Sequence, residues 1–138
     1  MHNVVKESLK IQLKPPKYRH YKYGDKYINS LMCRLRVGRS YLNADSFKIG
    51  HSDTDRCECG QKETVAHFFV CPKYAAQQEI LHNKFNEIIP KLKNLSNAKK
   101  LEIFLFGYNL TSEEFDCRNI TLTFAAQKYV LSTKRFSQ

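Results

Sequence analysis

"CECGQKETVAHFFVCP", residues 57–72, places three cysteines and a histidine within sixteen residues, and its reading decides the fold. The candidates are spaced Cys57-x-Cys59-x7-His67-x3-Cys71. On a helix, His67 and Cys71 would share one face about 6 Å apart and could bind one ion together. Cys57 and Cys59 fall in a turn ending at Gly60, where the missing Cβ lets the backbone curl so that both thiolates point inward. Three sulfurs and one nitrogen form the closed tetrahedral set of a structural zinc site, with no position open to a substrate water. Soft ligands also favour zinc over magnesium or calcium. One feature departs from the usual spacing: a single residue separates the first pair, a tighter but feasible geometry. A redox pair is the weaker reading, because it requires Cys-x-x-Cys at a helix start. A buried, metal-free thiol would suit Cys71 better than Cys57 and Cys59, which have charged neighbours Arg56 and Glu58. His51, just upstream, is an alternative ligand.

The rest of the chain sets the context. Its 138 residues are one domain's worth of sequence, with 42% apolar and 12% aromatic residues and no tryptophan, a globular composition. No window approaches the roughly 18 apolar residues of a membrane span. Charged Lys6, Glu7 and Lys10 stand where a signal peptide would be apolar, so an intracellular location, the nucleus included, is expected. The cysteines number five, with three clustered, which disfavours a secreted disulfide scaffold and favours a metal site. Net charge is +10, and it is uneven: residues 1–50 carry eleven Lys/Arg against three acids, residues 51–138 twelve against ten. Such a basic half suits polyanions through counterion release, or simply keeps the surface solvated.

The expected fold is mainly α: one small helical domain over residues 1–138, stapled by a zinc knuckle. It divides into a basic, tyrosine-rich part (1–50), the knuckle (51–73) and a helical C-terminal part (74–138). Val5, Leu9 and Leu13 are at helical spacing. "KPPKYRHYKYGD" then interrupts with two prolines and places Tyr18, Tyr21 and Tyr23 in a basic linker. Asp25 is the expected N-cap of a helix to about Val37, with Tyr27, Ile28, Leu31 and Leu35 as its stripe and Gly38 as its stop. A short turn around Ala44–Phe47 follows. A helix over about Tyr74–Ile89 presents Leu81, Phe85, Ile88 and Leu92, and Pro90 ends or bends it. "SNAKKLEIFLFG" is a shorter capped segment, and Thr111 with Glu114 forms a capping box. A final helix aligns Phe115, Leu122, Ala126, Tyr129 and Phe136, although "ITLTF" at 120–124 alternates as a strand would. Cys33 and Cys117 read as core residues, and His20 and His82 have no evident partner. No nucleophile–base pair, paired carboxylates or glycine-rich loop suggests an active site.

Taken in order, these blocks resemble the C-terminal tail of reverse transcriptases from non-LTR (LINE-type) retrotransposons. "KPPKYRHYKYGDKYINSLMCRLRVGRSYLN" is similar to that family's basic Pro–Pro–Tyr–Tyr–Gly stretch and following helix. "CECGQKETVAHFFVCPKY" matches its Cys-x-Cys-Gly, glutamate, His-Phe, Cys-Pro-x-Tyr pattern. "IFLFGYNL" and "AAQKYVLSTKRF" resemble a "LLLYG"-like block and a terminal helix ending in Arg-Phe. The resemblance covers about residues 10–136. It implies zinc on Cys57, Cys59, His67 and Cys71, a tight first pair being normal in that family, and a part in holding RNA or DNA. The polymerase's Asp-Asp pair occurs nowhere in the chain, and the endonuclease is absent too, so catalysis, a small-molecule substrate and a membrane are not expected. Phosphate contacts are expected from Lys14, Lys17, Arg19, Lys22, Arg34, Arg36 and Arg39, with interleaved tyrosines stacking on bases. The alternative is a zinc-stabilised structural or protein-interaction module, or a decayed fragment, that binds no nucleic acid.

Overall fold

The computed structural model describes residues 25–108 and 118–136. The expected opening helix, the Pro–Pro linker, the Thr111–Glu114 capping box, Phe115 and Cys117 lie outside them. Helices dominate: α1 (Lys26–Val37), α2 (Asn43–Lys48), α3 (Val65–Phe68), α4 (Ala75–Ile88), α5 (Asn97–Phe106) and α6 (Ile120–Ser132). Among the described residues β pairing is confined to one isolated antiparallel bridge, Arg56 with Lys62.

Helix α1 begins and ends where the sequence places its caps. The Asp25 carboxylate accepts from Ile28 N at 3.0 Å, satisfying an otherwise unpaired first-turn amide. Gly38 adopts φ 74°, a left-handed stop, and its N–H reaches Arg34 O. Ile28, Leu31, Met32 and Leu35 form the buried stripe. Two expectations for this helix fail. Tyr27 is 53% exposed and sends its hydroxyl to Phe136 O. Cys33 is exposed rather than core, being one residue (about 100°) beyond the stripe at Met32.

Helix α4 buries Leu81 and Phe85 and ends before Pro90, which forces Ile89 out of helical conformation (φ −124°, ψ 82°). A 3-10 turn over Pro90–Asn94 then drops Leu92 into the core. Ser96 caps α5 by accepting from Lys99 N at 3.2 Å. Helix α5 buries Leu101, Ile103, Phe104, Leu105 and Phe106, so it is apolar nearly all round at its C-terminal end, as a central helix must be. The "ITLTF" run is helical: Leu122, Ala126, Tyr129 and Val130 recur at the helical period and are buried. Helix α6 packs along α4 and touches α5 and α1, while α5 also meets α1 and α3. Asn119 closes the start of α6, its amide clasping both Tyr108 N and Tyr108 O at 2.8 Å.

Aromatic rings join the knuckle to this core. Phe68 lies 5.3–5.6 Å from Phe69, Tyr74, Tyr129 and Phe136. Phe69 stacks between Phe104 (5.6 Å) and Tyr129 (5.1 Å). The buried Tyr129 hydroxyl donates to Phe68 O at 2.6 Å, and burial raises its pKa well above the usual phenol value. Residues 65–74 are thus packed from both sides by α5 and α6, which places the Cys/His cluster on the helical core.

Candidate metal centre

The first cysteine pair is held by a small backbone clasp. Cys57 N donates to Gln61 O at 2.7 Å and Gly60 N returns to Cys57 O at 2.9 Å, closing a turn around Glu58–Cys59. Gly60 sits at φ 96°, a conformation side chains rarely adopt. Arg56 braces the turn by donating from its guanidinium to Gly60 O at 2.8 Å.

The second pair is built differently from expectation. Thr64 caps α3, its hydroxyl accepting from His67 N at 3.0 Å, but the helix stops at Phe68. Cys71 is extended (φ −63°, ψ 129°) ahead of Pro72, so His67 and Cys71 do not share one continuous helical face. Proline excludes the preceding residue from helical conformation, and the chain bends back to bring Cys71 under Cys57.

The result is a closed set. Cys57 Sγ is 3.7 Å from Cys71 Sγ, Cys59 Sγ is 3.2 Å from His67 Nε2, and all four ligand atoms lie within 4.8 Å of one another. Four donors at about 2.3 Å (sulfur) and about 2.0 Å (nitrogen) from one tetrahedral ion would stand roughly 3.5–3.8 Å apart. The spacing therefore fits a single ion. Cys57, His67 and Cys71 are buried and Cys59 is exposed, with no disulfide among them. The thiols are biased oppositely. Backbone donation from Gln61 lowers the Cys59 pKa, whereas burial pushes Cys71 up to about 11. A metal ion would supply the charge that Cys71 needs to ionise. His51 is exposed and not part of the set, and His82 stacks on Phe104 at 5.5 Å, a packing role.

Around the four lies a polar frame that spacing alone did not reveal. Glu63 is 3% exposed; its carboxylate takes a bidentate pair from Arg135 (2.8 and 2.7 Å) and the amide of Asn43 (2.7 Å). Its carbonyl also accepts from Ala44 N, so Glu63 caps the start of α2. Asn43 in turn donates from its side chain to Arg56 O at 2.6 Å. Burial works to raise the Glu63 pKa, but the donors from Arg135 and Asn43 prevail and hold it below the usual value. At the rim, Lys73 Nζ meets Glu58 at 2.7 Å, linking the two halves of the knuckle across exposed surface. The sequence signals for this frame were the glutamate of the knuckle pattern and the closing Arg-Phe, but nothing in their spacing paired them.

The proposed phosphate contacts fare unequally. Lys14, Lys17, Arg19 and Lys22 lie outside the described residues. Arg39 is exposed, and Arg34, half-buried, lies 4.5 Å over the Tyr41 ring. Arg36 must be withdrawn: it is buried, and its Nε donates to Leu105 O inside the core. Burial lowers its pKa to about 10, leaving it charged at neutral pH. That charge faces a carbonyl in the last turn of α5, where the helix dipole favours a cation.

No protein-family model matches the chain, and no curated protein or solved structure is significantly similar to it.

Proposed function

We propose that this chain is a non-catalytic, zinc-stapled module that binds RNA or DNA, derived from the C-terminal region of a non-LTR retrotransposon reverse transcriptase. The observation that carries the reading is the closed Cys57–Cys59–His67–Cys71 set, whose three-sulfur, one-nitrogen chemistry suits zinc. With all four positions filled by protein, the ion would cross-link the 57–60 turn to the segment after α3, contributing stability that a core of this size needs. Nucleic acid enters through charge: the surplus of eight positive charges in residues 1–50 is far denser than in the remainder. Arg39 carries part of that surplus on the surface, and Arg34 is partly exposed. The resemblance of the ordered sequence blocks supplies the origin, and the lack of an Asp-Asp pair removes the polymerase's metal chemistry from this chain.

The test is equilibrium binding of labelled single-stranded and duplex oligonucleotides to the zinc-loaded protein across a salt series. The expected result is binding at low salt whose affinity falls steeply and linearly on a log–log scale. Absence of binding at low salt would leave a structural or protein-interaction module instead.

A further inference from the structure

Just beyond Gly38, the left-handed turn reverses the chain over the last turn of α1, with Arg39 N returning to Arg34 O at 3.0 Å. The segment that follows is pinned from inside. Ser40 donates from its amide and hydroxyl to the Asp45 carboxylate (3.1 and 2.6 Å), and Leu42 is fully buried. Alternation then throws Arg39 and Tyr41 outward. Tyr41 stays 51% exposed although its ring is large and apolar, and Arg34 covers it at 4.5 Å while its guanidinium donates to Arg39 O at 3.3 Å.

Four cations elsewhere among the described residues pair with acids: Lys73 with Glu58, Lys84 with Glu87, Lys99 with Glu102 and Arg135 with Glu63. No carboxylate among the described residues pairs with Arg34 or Arg39, and the nearby Asp45 is spent on Ser40. A half-exposed ring under one guanidinium group, with exposed Arg39 two residues away and no carboxylate pairing with either arginine among the described residues, matches an aromatic base next to a phosphate. An acidic peptide would need the cations but not the ring.

We propose that Tyr41, covered by Arg34 and flanked by Arg39, is a stacking platform for an unpaired base of a single-stranded nucleic acid, with the arginines holding the adjoining phosphate. The inference rests on the nucleic-acid reading above and assigns that reading a contact point. Because the chain contains no tryptophan, Tyr41→Trp provides a fluorophore at the platform. Single-stranded oligoadenylate should quench its emission strongly, while a duplex of equal length or polyglutamate should not. Tyr41→Ala should weaken single-strand binding roughly tenfold with an unchanged salt slope, and Tyr41→Phe should retain it. Arg39→Ala should lower the salt slope by about one. The ellipticity of each variant is compared with the unsubstituted chain, since an exposed turn residue should leave the fold intact. Steep, salt-dependent binding that Tyr41→Ala leaves unchanged, or equal quenching by polyglutamate, overturns the platform alone. Failure of the unsubstituted chain to bind any oligonucleotide overturns both readings.

Discussion

Arg36 and Arg39, three positions apart on the same stretch of chain, separate the two uses of positive charge in this protein. Arg39 faces solvent, whereas Arg36 satisfies the Leu105 carbonyl inside the core. Arg36→Ala is expected to lower unfolding free energy by about 2 kcal/mol in urea denaturation, because a buried carbonyl loses its donor and the aliphatic stem its packing. The salt slope of nucleic-acid binding should not change; a reduced slope at unaltered stability would return Arg36 to the surface. Among the four candidate ligands, Cys71 is the demanding one. Its thiol, raised to about 11 by burial, is protonated at neutral pH without a metal, so metal uptake must displace that proton. Zinc affinity should therefore weaken as pH falls from about 8 to about 6, with proton release on binding, measured by competition with a chromophoric chelator. Pairing was the part of this scale the sequence hid. Glu63 and Arg135 stand 72 residues apart, and no local pattern marks a loop glutamate as buried.

Elements whose ends are fixed by local chemistry were legible. Asp25 and Gly38 bound α1, Ser96 opens α5 and Pro90 closes α4, because each acts on amides or torsions within a few residues of itself. The stretch after Thr64 misled, since His67 and Cys71 four apart suggest one helix, yet Pro72 makes Cys71 extended. "ITLTF" alternates as a strand would, yet the helix expected across it forms, because the packing of Leu122, Ala126 and Tyr129 against the core prevails over short-range alternation. At this scale the Glu63–Arg135 pair is the tie between the knuckle, α2 and the residues after α6. Arg135→Ala is expected to cost about 3 kcal/mol, because it strands a buried carboxylate. The acid response follows from the same pair. Glu63 has a folded pKa below its unfolded value of about 4.3, so its contribution is present above that value and lost as pH falls through the folded one. Glu63→Gln should therefore be less stable at neutral pH and show a shallower loss of stability below about pH 4.

In the whole molecule, a ring-rich core and a candidate metal centre share residues 57–74. Phe68 and Phe69 carry residues 57–72 into the space between α5 and α6, and the candidate ligands His67 and Cys71 lie on either side of those two rings in sequence. Loss of the ion should therefore disturb the aromatic core and not the surface turn alone. Substituting a buried ligand should act in the same way: Cys71→Ser or His67→Ala is expected to abolish one-to-one metal binding in elemental analysis and to lower the thermal midpoint. Composition made the class of molecule legible, and the Cys/His spacing made the cluster legible, because both follow from residue identity alone. How the cluster docks on the helices depends on ring contacts over sixty residues of separation, such as Phe68 with Tyr129, which no window of sequence contains. The most direct test is chelation of the purified protein with zinc release and near-ultraviolet tyrosine ellipticity followed together. One zinc per chain is expected, with loss of the aromatic signal in the same step as its release. Protein purified without zinc, or zinc removed with the aromatic signal unchanged, would contradict it.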